Sequence, residues 1–297
     1  MKFWQIVLVL FVSVALSFGV ATYSRESRQN EDIRQPPIQE TRLDHIKKTG
    51  ILRCGYINEP PFELKDLNTG KMTGLGPDLM EEIAKQLSIK IDWVGEVSYG
   101  QMLTDLSLNK YDMICAPFYA LPARSREANL SVPFYYFPAY LYARSEDVRF
   151  DNHSENANAP DIKIAVLDGS FSSMAASQKF PKATRVTLPE SSGVPELFVE
   201  VGAGKADVVA GDPASFANYD KNNPGNLRQV LGAPLQVMPG VFILPAKEQD
   251  FKNAIDTTLA YLQGTGFIHE LYKKYESPSV KFLETAIPYR NDDGSNK

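Results

Sequence analysis

The chain is poor in the residues most used for covalent or metal chemistry. Its 297 residues include two cysteines and three histidines. His45, His153 and His269 are scattered, and none has the spacing of a metal site. No Ser–His or Cys–His pairing can be built on them, so nucleophilic catalysis has no evident base. Positive charge is not in excess either: 31 Lys and Arg stand against 36 Asp and Glu, a net charge of −5. Without a basic stripe interleaved with aromatics, nucleic acid is excluded as a partner. Cys54 and Cys115 each fall inside a predicted strand. Parallel-strand geometry rarely suits a bridge, so two buried free thiols are expected.

What is present suits an exported two-lobed protein. Lys2 precedes an uncharged, largely apolar stretch from Phe3 to Tyr23. Residues 1–23 therefore read as a signal peptide or a membrane anchor, and the run is long enough for either. Residues 24–43 are polar and contain Pro36-Pro37, the composition of a solvated linker. From there the pattern alternates between strand and helix, which predicts an α/β fold with mostly parallel sheets. Ile51–Gly55 is the first strand and Pro77 opens a helix. Ile89–Val97 is the second strand, and a helix from about Tyr99 carries Met102, Leu103 and Leu106 on one face. Asp112–Ala116 is the third strand, with Pro117 closing it. Two helices, around Phe251–Leu262 and Phe267–Tyr275, end the fold, and residues 289–297 read as a tail.

One unit of this pattern occurs twice. Lys110-Tyr111-Asp112 and Lys205-Ala206-Asp207 each follow an amphipathic helix and lead into a short apolar strand. Two lobes follow: residues 44–140, with 240–288 returning to them, and residues 141–239, joined by two hinge crossings. Ligands of open α/β sheets lie beyond the carboxyl ends of the strands. The loop after the first repeated strand offers Arg124, which can grip a carboxylate with two parallel bonds. The end of the second offers Asp212. A cation and an anion facing across a cleft match a zwitterion, meaning an α-amino acid.

An ordered set of short motifs resembles a known family. Leu52-Arg53-Cys54-Gly55, Pro61-Phe62-Glu63, Gly74-Leu75-Gly76-Pro77-Asp78-Leu79, Lys110-Tyr111-Asp112, Ala120-Leu121-Pro122-Ala123-Arg124 and Leu130-Ser131-Val132-Pro133-Phe134-Tyr135 are similar to the periplasmic solute-binding proteins, family 3, of polar amino acid ABC importers. The resemblance covers about Leu43 to Ser277 and implies the type II periplasmic-binding-protein fold. It implies that Arg124 holds a ligand carboxylate and Asp212 its α-amino group. Ser170 would start a helix whose backbone N–H groups face the same carboxylate, Tyr99 would stack on the ligand side chain, and Pro117 would lie on the loop whose carbonyl accepts from the amino group. Two positions depart from the pattern. Tyr119 stands where many members have Ser or Thr. Glu59 stands where many have an aromatic lid; its carboxylate either favours a cationic ligand side chain or is a solvated rim acid.

The resemblance further implies a periplasmic, monomeric protein that needs no cofactor and no metal, is not an enzyme, and docks on a membrane permease. Two alternatives stay open: a cyclohexadienyl or arogenate dehydratase-like enzyme on the same fold, and an anchored sensory binding module.

Overall fold

A computed structural model describes residues 40–189, 191–277, 280 and 282–285. The predicted signal or anchor, nearly all of the linker and the C-terminal tail lie outside the described residues. From Arg42 onward the described chain is one compact unit. It opens with α1 (Arg42–Thr49), so the linker ends slightly earlier than its composition suggests. Then come β1 (Ile51–Tyr56), a small hairpin of β2 (Leu64–Lys65) and β3 (Met72–Thr73), α2 (Leu75–Leu87), β4 (Lys90–Glu96), α3 (Met102–Ser107) and β5 (Met113–Tyr119). A helical turn, α4 (Pro122–Ser125), precedes β6 (Ala128–Leu130) and the long β7 (Tyr135–Arg144). The next stretch holds β8 (Lys163–Leu167), α5 (Phe171–Lys179), β9 (Thr184–Leu188), α6 (Val194–Gly202), β10 (Val208–Gly211), α7 (Pro213–Asp220) and β11 (Leu227–Gln229). The long β12 (Gln236–Pro245), α8 (Gln249–Gly264), α9 (Phe267–Tyr275) and β13 (Leu283–Glu284) complete the order.

The main sheet runs β4-β1-β5-β12-β7-β10-β8-β9. Its two ends are parallel: β1 pairs with β4 and β5, and β8 with β9 and β10. The two ten-residue strands in the middle are antiparallel to each other and change partners along their length. β7 pairs with β12 over Tyr135–Ala139 and with β10 over Tyr140–Ala143. β12 in turn passes from β7 to β5 at Gly240. They are the two crossings between the halves of the sheet. One core packs α2, α8 and α9 on the first half, with Leu79, Ile83, Phe242, Ile255 and Leu259 fully buried. Each such side chain contributes roughly 1.5–3 kcal/mol of burial. Separate clusters around Ile164 and Phe198 serve the second half.

The repeated Lys-x-Asp motif has the same job twice. Asp112 Oδ2 accepts from the backbone N–H of Arg53 at 2.9 Å, and Asp112 N–H donates to the Arg53 carbonyl at 2.8 Å. Asp207 treats Lys163 identically, at 2.9 and 2.8 Å. Arginines meet both carboxylates: Arg42 and Arg53 at Asp112, Arg144 and Arg149 at Asp207. Burial alone would raise both acids; the hydrogen bonds and the guanidinium charges outweigh it and hold them below the usual range.

Three expectations change. Cys54 and Cys115 form a disulfide, with Cα atoms 5.4 Å apart, inside the range a bridge requires. Cys54 lies opposite Met113 in the β1–β5 register, so Cys115 is its diagonal neighbour, an offset that sequence does not display. Pro117 does not close the third strand, which runs on to Tyr119. The pairing with β12 shifts register between Val241 and Ile243, the place where a residue without an N–H is tolerated. Arg124 accordingly sits five residues past the strand, in α4. The short polar β9 and the helix α7 were not apparent from periodicity.

The bridge closes a loop of 61 residues. Replacing both cysteines by alanine is expected to lower unfolding free energy by about 2–4 kcal/mol, read as a reduced urea midpoint. An unchanged midpoint in oxidised protein would show that the thiols are not paired.

Candidate functional site

The loops after β1, β4, β8 and β10 and the end of β5 converge on one cavity of roughly 50 Å3 between the halves of the sheet. Six of the seven expected site residues line it: Glu59, Tyr99, Pro117, Tyr119, Ser170 and Asp212. The seventh, Arg124, adjoins it through the Phe118 ring, with its guanidinium carbon 5.0 Å from the ring centroid. Phe118, Phe137 and Phe171, which the sequence reading passed over, supply further aromatic wall. Phe171 directly follows Ser170, and Phe118 directly precedes Tyr119, so neighbouring positions carried the signal.

Arg124 is 4% exposed. Nη1 donates to the Tyr119 carbonyl at 2.8 Å, and Nη2 reaches across the cleft to the Gly169 carbonyl at 3.2 Å. Among the described residues no carboxylate forms an ion pair with it. Burial lowers its pKa to about 10, so it stays charged at neutral pH. Gly169 suits this approach because its φ of +71° is one that side-chain-bearing residues rarely adopt.

Asp212 has two roles at once. As N-cap of α7, its Oδ1 accepts from the N–H groups of Ala214 and Ser215 at 3.0 and 2.9 Å. Its Oδ2 accepts from the Tyr119 hydroxyl at 3.2 Å and from Ser215 Oγ at 2.7 Å. Capping thus fixes the carboxylate that faces the cavity. Ser215 is a site residue the sequence reading missed; its place three residues after a capping Asp was the available sign. Ser170 is the N-cap of α5, accepting from Ser172 N–H at 3.2 Å. Its own N–H donates to the Leu167 carbonyl.

Glu59 is half-buried at the cavity wall rather than fully solvated at the rim. Its side chain points into the cavity, where Oε1 accepts from Ser215 Oγ at 2.9 Å and Oε2 from the Tyr99 hydroxyl at 3.2 Å. Burial first, and the Asp212 carboxylate second, push its pKa up to about 7, against the pull of the Ser215 and Tyr99 hydrogen bonds. Burial and the same carboxylates push Tyr119 and Tyr99 well above their ordinary range, so both remain hydroxyl donors. Tyr99 packs edge-on against Phe118, and Tyr119 against Phe137. Among the described residues no group of three or more His, Cys, Asp or Glu could hold a metal ion.

A family model, bacterial extracellular solute-binding proteins, family 3, matches residues 52–278. The chain belongs to that family. Cyclohexadienyl dehydratase of Pseudomonas aeruginosa is 23% identical over 236 residues, 78% of this chain and 85% of the other. A probable histidine-binding protein of Campylobacter jejuni is 36% identical over 167 residues, 56% of this chain and 61% of the other. Among solved structures, an ancestral amino acid-binding protein described as a precursor of cyclohexadienyl dehydratase superposes with a TM-score of 0.70 at 27% identity, covering 80% of this chain and 100% of that one. A cysteine-binding protein from Campylobacter jejuni superposes with a TM-score of 0.69 at 21% identity, covering 82% and 100%. The architecture is the two-lobed type II periplasmic-binding-protein fold, and this family-3 chain is a solute-binding protein. No described helix is long and apolar enough to cross a membrane.

The raised Glu59 carboxyl makes the family-3 cleft sensitive to pH. Folded protein keeps this proton up to about pH 7, whereas unfolded chain loses it near 4.5. Between those values the folded state binds more protons, so stability falls as pH rises. Buried Glu63 is raised as well and acts in the same sense. Melting temperature is expected to drop from pH 5 to pH 8, and Glu59→Gln to reduce that drop. Equal slopes in both proteins would mean that Glu59 titrates as an ordinary carboxylate.

Proposed function

We propose that the protein captures a small zwitterionic ligand, an amino acid, between its lobes and delivers it to the permease of an ABC importer. The observation that carries this reading is the charge arrangement. Arg124 is buried, charged and without a carboxylate, while Asp212 and Glu59 present carboxyl groups from either side of the same cavity. A ligand carboxylate complements the first and a ligand ammonium the second. Aromatic rings around them shed water, which strengthens each contact. The probable histidine-binding relative supports the class of ligand. The permease and a periplasmic location, free or anchored by residues 1–23, rest on family membership.

Closure is the mechanism. Residues 44–140 with 240–288 would move as one lobe against residues 141–239, bending where β7 and β12 change partners. Glu59, Tyr99, Tyr119 and Arg124 belong to the first lobe, Ser170, Asp212 and Ser215 to the second. A guest touching both sets binds the closed form better and shifts the population toward it.

A second reading has its own observation. Glu59, with its pKa pushed up to about 7, keeps its proton in part of the population at neutral pH, as a general acid must, and a dehydratase is among the relatives. Incubation with prephenate or arogenate decides it: product formation abolished by Glu59→Gln would make the protein an enzyme. For the binding reading, a thermal-shift screen of amino acids is expected to give a stabilising hit. Calorimetry with that hit is expected to show an affinity loss greater than about 30-fold in Arg124→Ala. Unchanged affinity would remove Arg124 from the site.

A further inference from the structure

The oxygens of Glu59, Ser215 and Asp212 form a short chain. Ser215 Oγ lies 2.9 Å from Glu59 Oε1 and 2.7 Å from Asp212 Oδ2. A serine hydroxyl carries one proton and can donate it to only one of the two. Two good hydrogen bonds therefore need a second proton, held by one of the carboxyl groups. The groups around the chain cannot substitute a cation for it. Glu59 is faced by the Tyr99 hydroxyl from the β4–α3 loop, by Ser215 and Asp212 from α7, and by Glu63 from its own loop. Tyr119 and Tyr135 stand farther off, and Arg124 is turned to the two carbonyls. None of the neighbours that touch Glu59 is positive.

We infer that the cleft is built for an amino acid bearing a second cationic group, which it takes up in exchange for the proton held between Glu59 and Asp212. The inference rests on the proposed amino acid site and follows from charge balance in a partly buried cavity walled by aromatic rings. With the proton in place, Arg124 and one carboxylate balance each other, and a neutral zwitterion fits. With the proton gone, the walls carry one extra negative charge, and a guest of net charge +1 fits instead. Proton and second cationic group are interchangeable, so the two guest classes should respond to pH in opposite senses. Glu59 titrates near neutrality, which places the change in an accessible range.

The test compares L-arginine with its uncharged analogue L-citrulline by calorimetry from pH 5.5 to 8.5, where the arginine side chain keeps its charge. Arginine affinity is expected to rise by up to about tenfold per pH unit below pH 7 and then level off, with proton release visible as a dependence on buffer ionisation enthalpy. Citrulline affinity is expected to be flat at low pH and to fall above 7. Glu59→Gln is expected to abolish both slopes and to shrink the arginine preference at pH 8. Parallel, pH-independent curves for the two ligands in the unaltered protein would overturn the inference while leaving the amino acid site intact, as would tight binding of neutral amino acids alone at pH 8. Absence of binding by any amino acid would overturn the site itself.

Discussion

Arg124 imposes the constraint around which the rest is arranged. A guanidinium does not give up its proton near neutral pH, so removing it from water leaves a full charge to be met. Among the described residues, two carbonyl dipoles and an aromatic face meet it. Leaving a buried charge without a counter-ion costs about 3–5 kcal/mol. In the proposed reading, a ligand carboxylate arriving from outside would offset that cost. Elsewhere in the cavity Glu59 and Asp212 bring two carboxyl groups together through Ser215, so the cleft is polarised before any guest enters it.

This polarisation depends on strand ends being held in register. In each half of the sheet an aspartate, buried Asp112 or half-buried Asp207, binds both the N–H and the carbonyl of the neighbouring strand, and arginines neutralise it. The two aspartates are far from the cavity, yet they determine how far β5 and β10 slide relative to β1 and β8. A slip of one residue would turn Phe118 and Tyr119 to opposite faces. The sequence repeat is thus a repeat of bracing, and the site residues lie where the two copies differ.

Much of this was legible in the chain because it is periodic or local. Alternation of apolar strands and amphipathic helices, the Lys-x-Asp repeat and the capping positions Ser170 and Asp212 all leave signals within a few residues. What was not legible depends on contacts distant in sequence. The Cys54–Cys115 bridge needs the diagonal offset between two strands. Strand continuation through Pro117 needs the register shift in β12. Glu59 could be read as rim or as pocket until Ser215, 156 positions later, was found beside it. Edge strand β9 escaped because its exposed, polar face lacks an apolar pattern.

The disulfide ties β1, whose following loop carries Glu59, to β5, which ends at Tyr119. One wall of the cleft is consequently a covalent plinth with interchangeable ornaments. Side-chain changes at positions 59 and 119 therefore leave the covalent tie between the two strands in place.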